Sequence, residues 1–594
     1  MKAIVAAYVV LCLLINTPSA LGEQAAGPVD VNAIEWKAKD EYTEYGAEAI
    51  HIALADGATE AGEGYGVEGD VVTITREGTY VLTGSLSDGQ IVVCADKDED
   101  VRLVLENVAV TSTSAAPLYV IQADKVIVSL PEGTQSTLTD KQTAQDEEGR
   151  EITATIFARS DLTINGSGSL VIRAGARDGI ATKDTLKLTG GTLDIEASDD
   201  GIVAKDRALI RGGDISIVSA GDGVKVTGTE ADQGYFYMEG GALHITAAGD
   251  GIQAASSVLI AGGEIEMTTG GGSASAEQKV EAFGGRGWGV GAQQQTQEES
   301  ISTKGIKAEV YVDMTGGTVA IDSCDDSIHS NDTVRISGGV IQASSGDDGV
   351  HADAVLEISG GKVTIAESYE GLEAASVEIT GGEIEVRASD DGINAAGGSD
   401  GSQQSGPFGR DSFASQEGVS LVISGGLLYV DASGDGLDSN GDLTITGGQV
   451  YVSGPTGSGD GTFDSNGTFS IDGGLVLGIG STGMMETPAQ TSKQNTLVVT
   501  GTDYAAGSVV EVRDAEGSAL ASWIAPKQFA SVIFSSPEIE RNATYEVYVD
   551  GELMEEIDAT EVTSGAGSDL GNGRGGRGGG RGDWEENRSP RSGL

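Results

Sequence analysis

Short acidic motifs, Asp-Asp-Gly-Ile and its near copies, recur along this chain with their second acidic positions at Asp178, Asp200, Asp222, Asp250, Asp326, Asp348, Glu370, Asp391, Asp435 and Asp460. Lys304 fills the same slot once, and the steps 178 to 200 to 222 and 304 to 326 to 348 to 370 are each 22 residues. Residues one period apart in a repeat protein stack on one another, so the motifs form a column. One position earlier the column is acidic again at Asp325, Asp347 and Asp390; three positions on it reads Lys307, His329, His351, Glu373, Asn394 and Asp438; five positions on it includes Asn331 and Asp353. Like charges stacked at strand spacing, ~4.8 Å, repel one another. A hard divalent cation relieves this, since Ca2+ accepts about 6–8 oxygens from carboxylates, amides and carbonyls in flexible geometry. The metal-ligand candidates are Asp325, Asp326, Asp347, Asp348, Asp353, Glu370, Asp390, Asp391 and Asn331. The plainer explanation is that Asp-Gly pairs turn corners where the backbone needs a positive φ. Turn chemistry asks for one Asp per motif and leaves the second acid of each doublet over.

His329, His351, Tyr369, Glu373, Asn394 and Lys307 carry groups that hydrogen-bond sugars, and are the carbohydrate-binding candidates. One histidine per turn among oxygen donors argues against zinc. Lys304 and Lys307 are the candidate bases of a calcium-dependent lyase, because a lysine beside a cation gives up its proton more readily. More often a lysine beside an acidic ladder only balances charge, and the balance favours binding over catalysis.

The elements that must hold such a column are short strands. Gly-Gly pairs at Gly190, Gly212, Gly338 and Gly360 keep the same beat, and apolar and polar residues alternate between them, as in Leu186-Lys-Leu-Thr-Gly-Gly-Thr-Leu-Asp-Ile. A period near 22 with period-2 alternation predicts an all-β parallel β-helix, one turn per repeat. Residues 1–22 read as a secretory signal peptide, 23–66 as an N-terminal extension, 67–490 as the β-helix, 491–560 as a small C-terminal β cap, and 561–594 as a disordered Gly/Arg-rich tail. The polar stretches 270–300 and 397–417 read as loops. The signal and the absence of a later apolar run predict a secreted or cell-surface protein with no membrane span. With 92 acidic against 35 basic residues and a formal charge of -57, nucleic acid is not expected as a partner unless cations bridge the two. A monomer is expected. Cys94 and Cys324 are expected to form no disulfide, and Trp36, Trp288, Trp523 and Trp584 all fall outside the regular repeat. A flat aromatic platform on the solenoid is therefore not expected.

Taken in order, Ala158-Arg-Ser-Asp-Leu-Thr-Ile-Asn-Gly, Lys304-Gly-Ile-Lys-Ala-Glu, Asp325-Asp-Ser-Ile-His-Ser-Asn, Gly346-Asp-Asp-Gly-Val-His-Ala-Asp, Ser368-Tyr-Glu-Gly-Leu-Glu, Asp390-Asp-Gly-Ile-Asn and Gly434-Asp-Gly-Leu-Asp-Ser-Asn-Gly closely resemble a family of secreted bacterial β-helix proteins, the carbohydrate-binding domain-containing proteins, across residues 65 to 555. The resemblance implies a right-handed parallel β-helix similar to pectate lyases, bound Ca2+, and affinity for cellulose- and polygalacturonate-type cell-wall polysaccharide without established lyase activity. Three functions follow as expectations: calcium-assisted, noncatalytic binding of an acidic polysaccharide; a calcium-dependent polysaccharide lyase; and a structural or adhesive surface protein.

Overall fold

The computed structural model describes residues 29, 31–141, 153–175, 177–277, 301–396 and 415–565. The signal peptide, Trp288 and Trp584, most of the two polar loops and the tail beyond 565 lie outside the described residues. The chain divides into two units, one of Met1–Gly241, Ile252–Leu259 and Ala308–Tyr311, the other of Ala242–Gly251, Ile260–Lys307 and Val312–Leu594. Each is almost entirely β and built as a parallel β-helix.

In the first unit one inward column runs Ile91, Leu118, Ile156, Ile180, Ile202, Val224 and Ile252, each paired in register with the next. The equivalent column of the second unit runs Ile328, Val350, Leu372, Ile393, Leu437 and Phe463. All of these side chains are buried. Fully burying an aliphatic side chain is worth about 1.5–3 kcal/mol. The apolar half of the period-2 alternation thus becomes a continuous core that no single turn could form alone.

The glycines show why the beat is kept, and they overturn the turn-based account of the Asp-Gly pairs. In Gly338-Gly339, a Cβ on the first residue would sit 2.3 Å from the Thr315 carbonyl oxygen of the preceding turn. The second has φ of 86°, a conformation glycine adopts without steric cost. The glycine after the acidic slot is different: Gly349 is not among the left-handed residues. It is required because a Cβ there would lie 2.6 Å from the Gly371 carbonyl oxygen. The positive φ that motivated the corner-turning explanation belongs to the Gly-Gly pairs, so the acidic residues need another account.

Parallel stacking already begins at the strand Ile50–Leu54, which pairs with Gly78–Leu86. Ahead of it a short helix, Ala38–Glu41, is tied down by long-range side-chain contacts. In the second unit, Phe529–Ser535 pairs antiparallel with Phe469–Gly480 and with Thr496–Tyr504. This pairing covers what would be an open strand edge. A four-stranded antiparallel sheet of Val509–Asp514, Ala519–Ile524, Thr544–Val549 and Glu552–Asp558 packs beside it. Thr563–Gly565, within the stretch read as tail, adds a strand parallel to Thr496–Tyr504. Trp523 of the cap stands 5.6 Å from the Tyr451 ring, which stacks on Tyr429 at 4.9 Å.

Candidate functional site

The acidic column lies where the chain turns into strands of three residues or into the first residues of longer ones. Main-chain bonds from Ser327 to Asp348, Gly349 to Glu370, Gly371 to Asp391 and Gly392 to Asp435 stack the slot residues at 2.9–3.0 Å. Strand register aligns His329, His351, Glu373, Asn394, Asp438 and Asp464 in the neighbouring column. Asp464 escaped the 22-residue count because the turn before it is longer. Leu437 pairs with Phe463, so the slot after Asp435 is Gly461 and Asp460 falls outside it.

The slot carboxylates have a structural task. Asp326 Oδ1 accepts the main-chain N–H of Asp348 at 3.0 Å, Asp391 Oδ1 that of Asp435 at 2.6 Å, and Asp250 Oδ1 that of Lys304 at 2.8 Å. The first unit repeats this, with Asp200 Oδ1 accepting from Asp222 at 2.7 Å. A hydrogen bond to a charged acceptor contributes about 1.5–3 kcal/mol. Each acid thereby ties its turn to the next.

Much of the charge is offset from within. The Lys304 ammonium is buried and sits 2.6 Å from Asp326 Oδ2 and 3.0 Å from Asp325 Oδ1. His329 places Nδ1 2.8 Å from Asp326 Oδ2 and Nε2 2.9 Å from Asn331 Oδ1. Burial alone would raise the Asp326 carboxyl, but Lys304 and His329 outweigh it and hold the group well below the usual carboxylate range. His351 stacks on His329 at 4.8 Å. Its Nδ1 lies 3.0 Å from Asp348 Oδ2 and 2.8 Å from Glu373 Oε2, and its Nε2 lies 3.1 Å from Asp353 Oδ1. Burial works against the imidazolium, yet these three carboxylates keep it protonated far above the usual histidine range. Asp348 is pushed up by burial and by the charge of Asp326. Asp391 is pushed up by burial and by Asp435, Asp438, Asp390 and Glu370.

The residues singled out in the sequence thus fall into three groups. Asp325, Asp326 and Asp347 present carboxylate oxygens within 4.8 Å of one another. Asp348, Asp353 and Glu373 surround His351. Glu370 is bonded by Asn394 Nδ2 at 2.9 Å and lies with Asp390 beside Asp391. Among the carbohydrate-binding candidates, His329 and His351 are each only 3% exposed and Glu373 and Asn394 are buried. Tyr369 and Lys307 are half-buried and closer to solvent. Lys307 Nζ approaches Ser302 Oγ at 3.4 Å. The all-oxygen groups Asp178–Asp199–Asp200, Asp325–Asp326–Asp347 and Asp435–Asp438–Asp464 have the donor set a hard cation takes. The Lys304 ammonium already neutralises part of Asp325–Asp326–Asp347.

Residues 68–349 match the carbohydrate-binding domain-containing protein family. Over that stretch the chain is similar to this family. A family relative from Acetivibrio thermocellus, described as a carbohydrate-binding domain-containing protein, is 37% identical over 137 residues, which are 23% of this chain and 48% of the relative. The chain therefore spans about half the length of the curated relative it matches. A solved structure, the polysaccharide lyase-like protein from C. thermocellum in a gadolinium derivative, is 34% identical and aligns over 37% of this chain and 91% of that one, with a TM-score of 0.36. The group Asp325–Asp326–Asp347, with Lys304 and both stacked histidines, falls on or beside the stretch the family match covers, whereas Asp391 and Asp435 lie beyond it.

Proposed function

We propose that this protein is a secreted, noncatalytic polysaccharide-binding protein that takes an acidic glycan with the help of calcium. The observation that carries the reading is the Asp325–Asp326–Asp347 group: three carboxylates within 4.8 Å of one another on the family-matched stretch. Asp325 and Asp347 are half-buried, so their oxygens reach solvent. A calcium ion held there has coordination positions left over for the carboxylate of a uronate. Such a bridge lets a chain of formal charge -57 hold a polyanion.

Catalysis by Lys304 fits poorly, because its buried ammonium is already engaged by Asp326 at 2.6 Å and Asp325 at 3.0 Å. A structural reading has one specific observation in its favour, the carboxylates that accept main-chain N–H groups from the next turn. Asp347→Asn separates the two. Its carboxylate is at the mouth of the group, so the variant should fold as the parent does and lose calcium-dependent retention on polygalacturonate. Unchanged retention would leave the structural reading in place. Asp348→Ala also weakens binding on this account, but the histidinium it leaves beside it lowers stability as well.

A further inference from the structure

We propose that the face of the first unit formed by the strands Asp100–Ser112, Lys125–Leu130, Asp161–Gly166, Thr185–Ala197 and Arg207–Ser219 is a second site for a carboxylated glycan, covered in this structure by the chain's own residues 35–42. Basic residues are scarce, 35 against 92 acidic ones, yet four converge on this segment. Lys125 Nζ lies 2.6 Å from Asp40 Oδ1, and Lys187 Nζ lies 3.1 Å from Asp40 Oδ2 and 2.6 Å from the Glu35 carbonyl oxygen. Arg211 Nη1 meets Glu41 Oε1 at 2.7 Å. Arg102 bonds the carbonyls of Tyr42 and Lys39, and its guanidinium lies 5.5 Å from the Tyr42 ring centre. Between the cations stand neutral donors: Asn165 Nδ2 gives bonds to the Asp40 and Tyr42 carbonyls at 2.9 and 3.2 Å, and Thr189 Oγ1 one to Asp40 O at 2.9 Å. The Trp36 ring centre lies 5.4 Å from both Lys187 Nζ and Arg211 Cζ.

A strap that merely covered a solenoid face could do so with apolar side chains. Burying Asp40, at 0% exposure, against Lys125, at 3%, carries a desolvation cost that often equals or exceeds the attraction. What the arrangement does match is a polyuronate. Successive strands are ~4.8 Å apart, close to the advance of one sugar residue along a glycan chain, and the cations come from four of five successive strands with amide and hydroxyl donors between them. Asp40 occupies the position of a sugar carboxylate, and Trp36, packed against the cluster of Leu209, Tyr235, Tyr237 and Leu259, holds the strap in place beside it. Acids share the face: Asp100 pairs with Lys39 and Glu239 with Arg211. Beside the strap the face continues as an open cavity of about 850 Å3 whose wall includes Arg211, Asn165 and Thr189 of the face together with the carboxylates of Glu132 and of Glu41 and Glu44 from the strap side. That volume lies within the usual ligand range of about 300–1,000 Å3. The Asn165 Oδ1 in that wall is buried without a hydrogen-bond partner.

This inference rests on the reading that the protein binds an acidic glycan, but assigns the contact to different residues. The test uses the full chain and oligogalacturonide, with affinity measured in calcium and in EDTA and with hydrogen exchange followed by mass spectrometry across residues 35–45. Binding should persist in EDTA, weaken in salt, and speed exchange of the strap amides. Trp36→Ala loosens the strap without leaving a lysine uncompensated and should raise affinity about tenfold, as expected when a rarely open site becomes populated. Lys187→Ala added to it should abolish the gain. Asp40→Asn should act in the same direction wherever it folds. Binding that requires calcium and Asp347 while ignoring Trp36→Ala, with strap exchange unchanged, overturns the inference and leaves the first reading standing. EDTA-resistant binding that depends on Lys187 does the reverse.

Discussion

Replacing Lys304 by methionine probes whether the acidic column is neutralised by the protein itself. The side chain is buried, with its ammonium 2.6 Å from Asp326 and 3.0 Å from Asp325. Methionine keeps the apolar stem and removes the charge, leaving the buried Asp326 carboxylate with only His329 against it on that side. Breaking a buried pair from one partner costs about 3–5 kcal/mol. Half-exposed Asp325 adds little, because water screens it. Asp326→Asn alone should cost a similar amount, since it leaves the buried ammonium with only the more exposed Asp325 as partner. The double variant, neutral on both sides, should recover to within about 1 kcal/mol of the parent, so the coupling in the cycle amounts to several kcal/mol. Urea unfolding in EDTA measures all four proteins. Because a β-helix can open locally, hydrogen exchange in residues 304–353 should be read alongside the global transition. A single variant as stable as the parent, or a double variant no better than the singles, would refute the claim that Lys304 neutralises this column. Calcium added to Lys304→Met should restore stability if the vacated oxygens can take a hard cation.

Three further outcomes are expected. The Asp178 carboxyl is raised from 3.8 to about 7 by burial and by Asp200 and Asp199. A raised carboxyl contributes stability that is complete below its unfolded value and is lost as pH climbs through the folded one, here between about 3.8 and 7. At 1.36 kcal/mol per unit the swing is on the order of 4 kcal/mol at most. Asp178→Asn should flatten it, making the variant more stable than the parent at pH 8 in EDTA by thermal unfolding; a less stable variant there contradicts the assignment. Leu372→Ala, at the centre of the second unit's inward column, should cost about 2–5 kcal/mol in urea titration, and a cost under about 1 kcal/mol would mean that the column is not packed as described. Gly339→Ala, which forces a φ of 86° on a residue with a Cβ, should cost about 1–3 kcal/mol, whereas an unchanged midpoint would show that the turn relaxes.

The repeat made the column legible because a fixed step of 22 residues puts Asp326, Asp348 and Glu370 in one line whatever the rest of the chain does. It failed at Asp460, where a longer turn moved the register, put Gly461 in the slot and brought Asp464 into line with Asp438 in the neighbouring column. It also could not show how the acids are used. That Asp326 accepts the N–H of Asp348, or that the Asp-Gly glycine avoids a carbonyl rather than adopting a positive φ, depends on atoms one turn away. The strap was out of reach for a different reason. Asp40 meets Lys125 and Lys187 across 85 and 147 residues, and no periodicity relates them.

The most direct measurement is retention of the parent protein and Asp347→Asn on polygalacturonate, in calcium and in EDTA, with near-ultraviolet absorbance followed for unsaturated product. The account predicts that the parent is retained in calcium, more strongly than in EDTA, that Asp347→Asn loses the calcium-dependent part, and that no absorbance develops. Retention indifferent to both calcium and Asp347, or absorbance that grows with time, would contradict it.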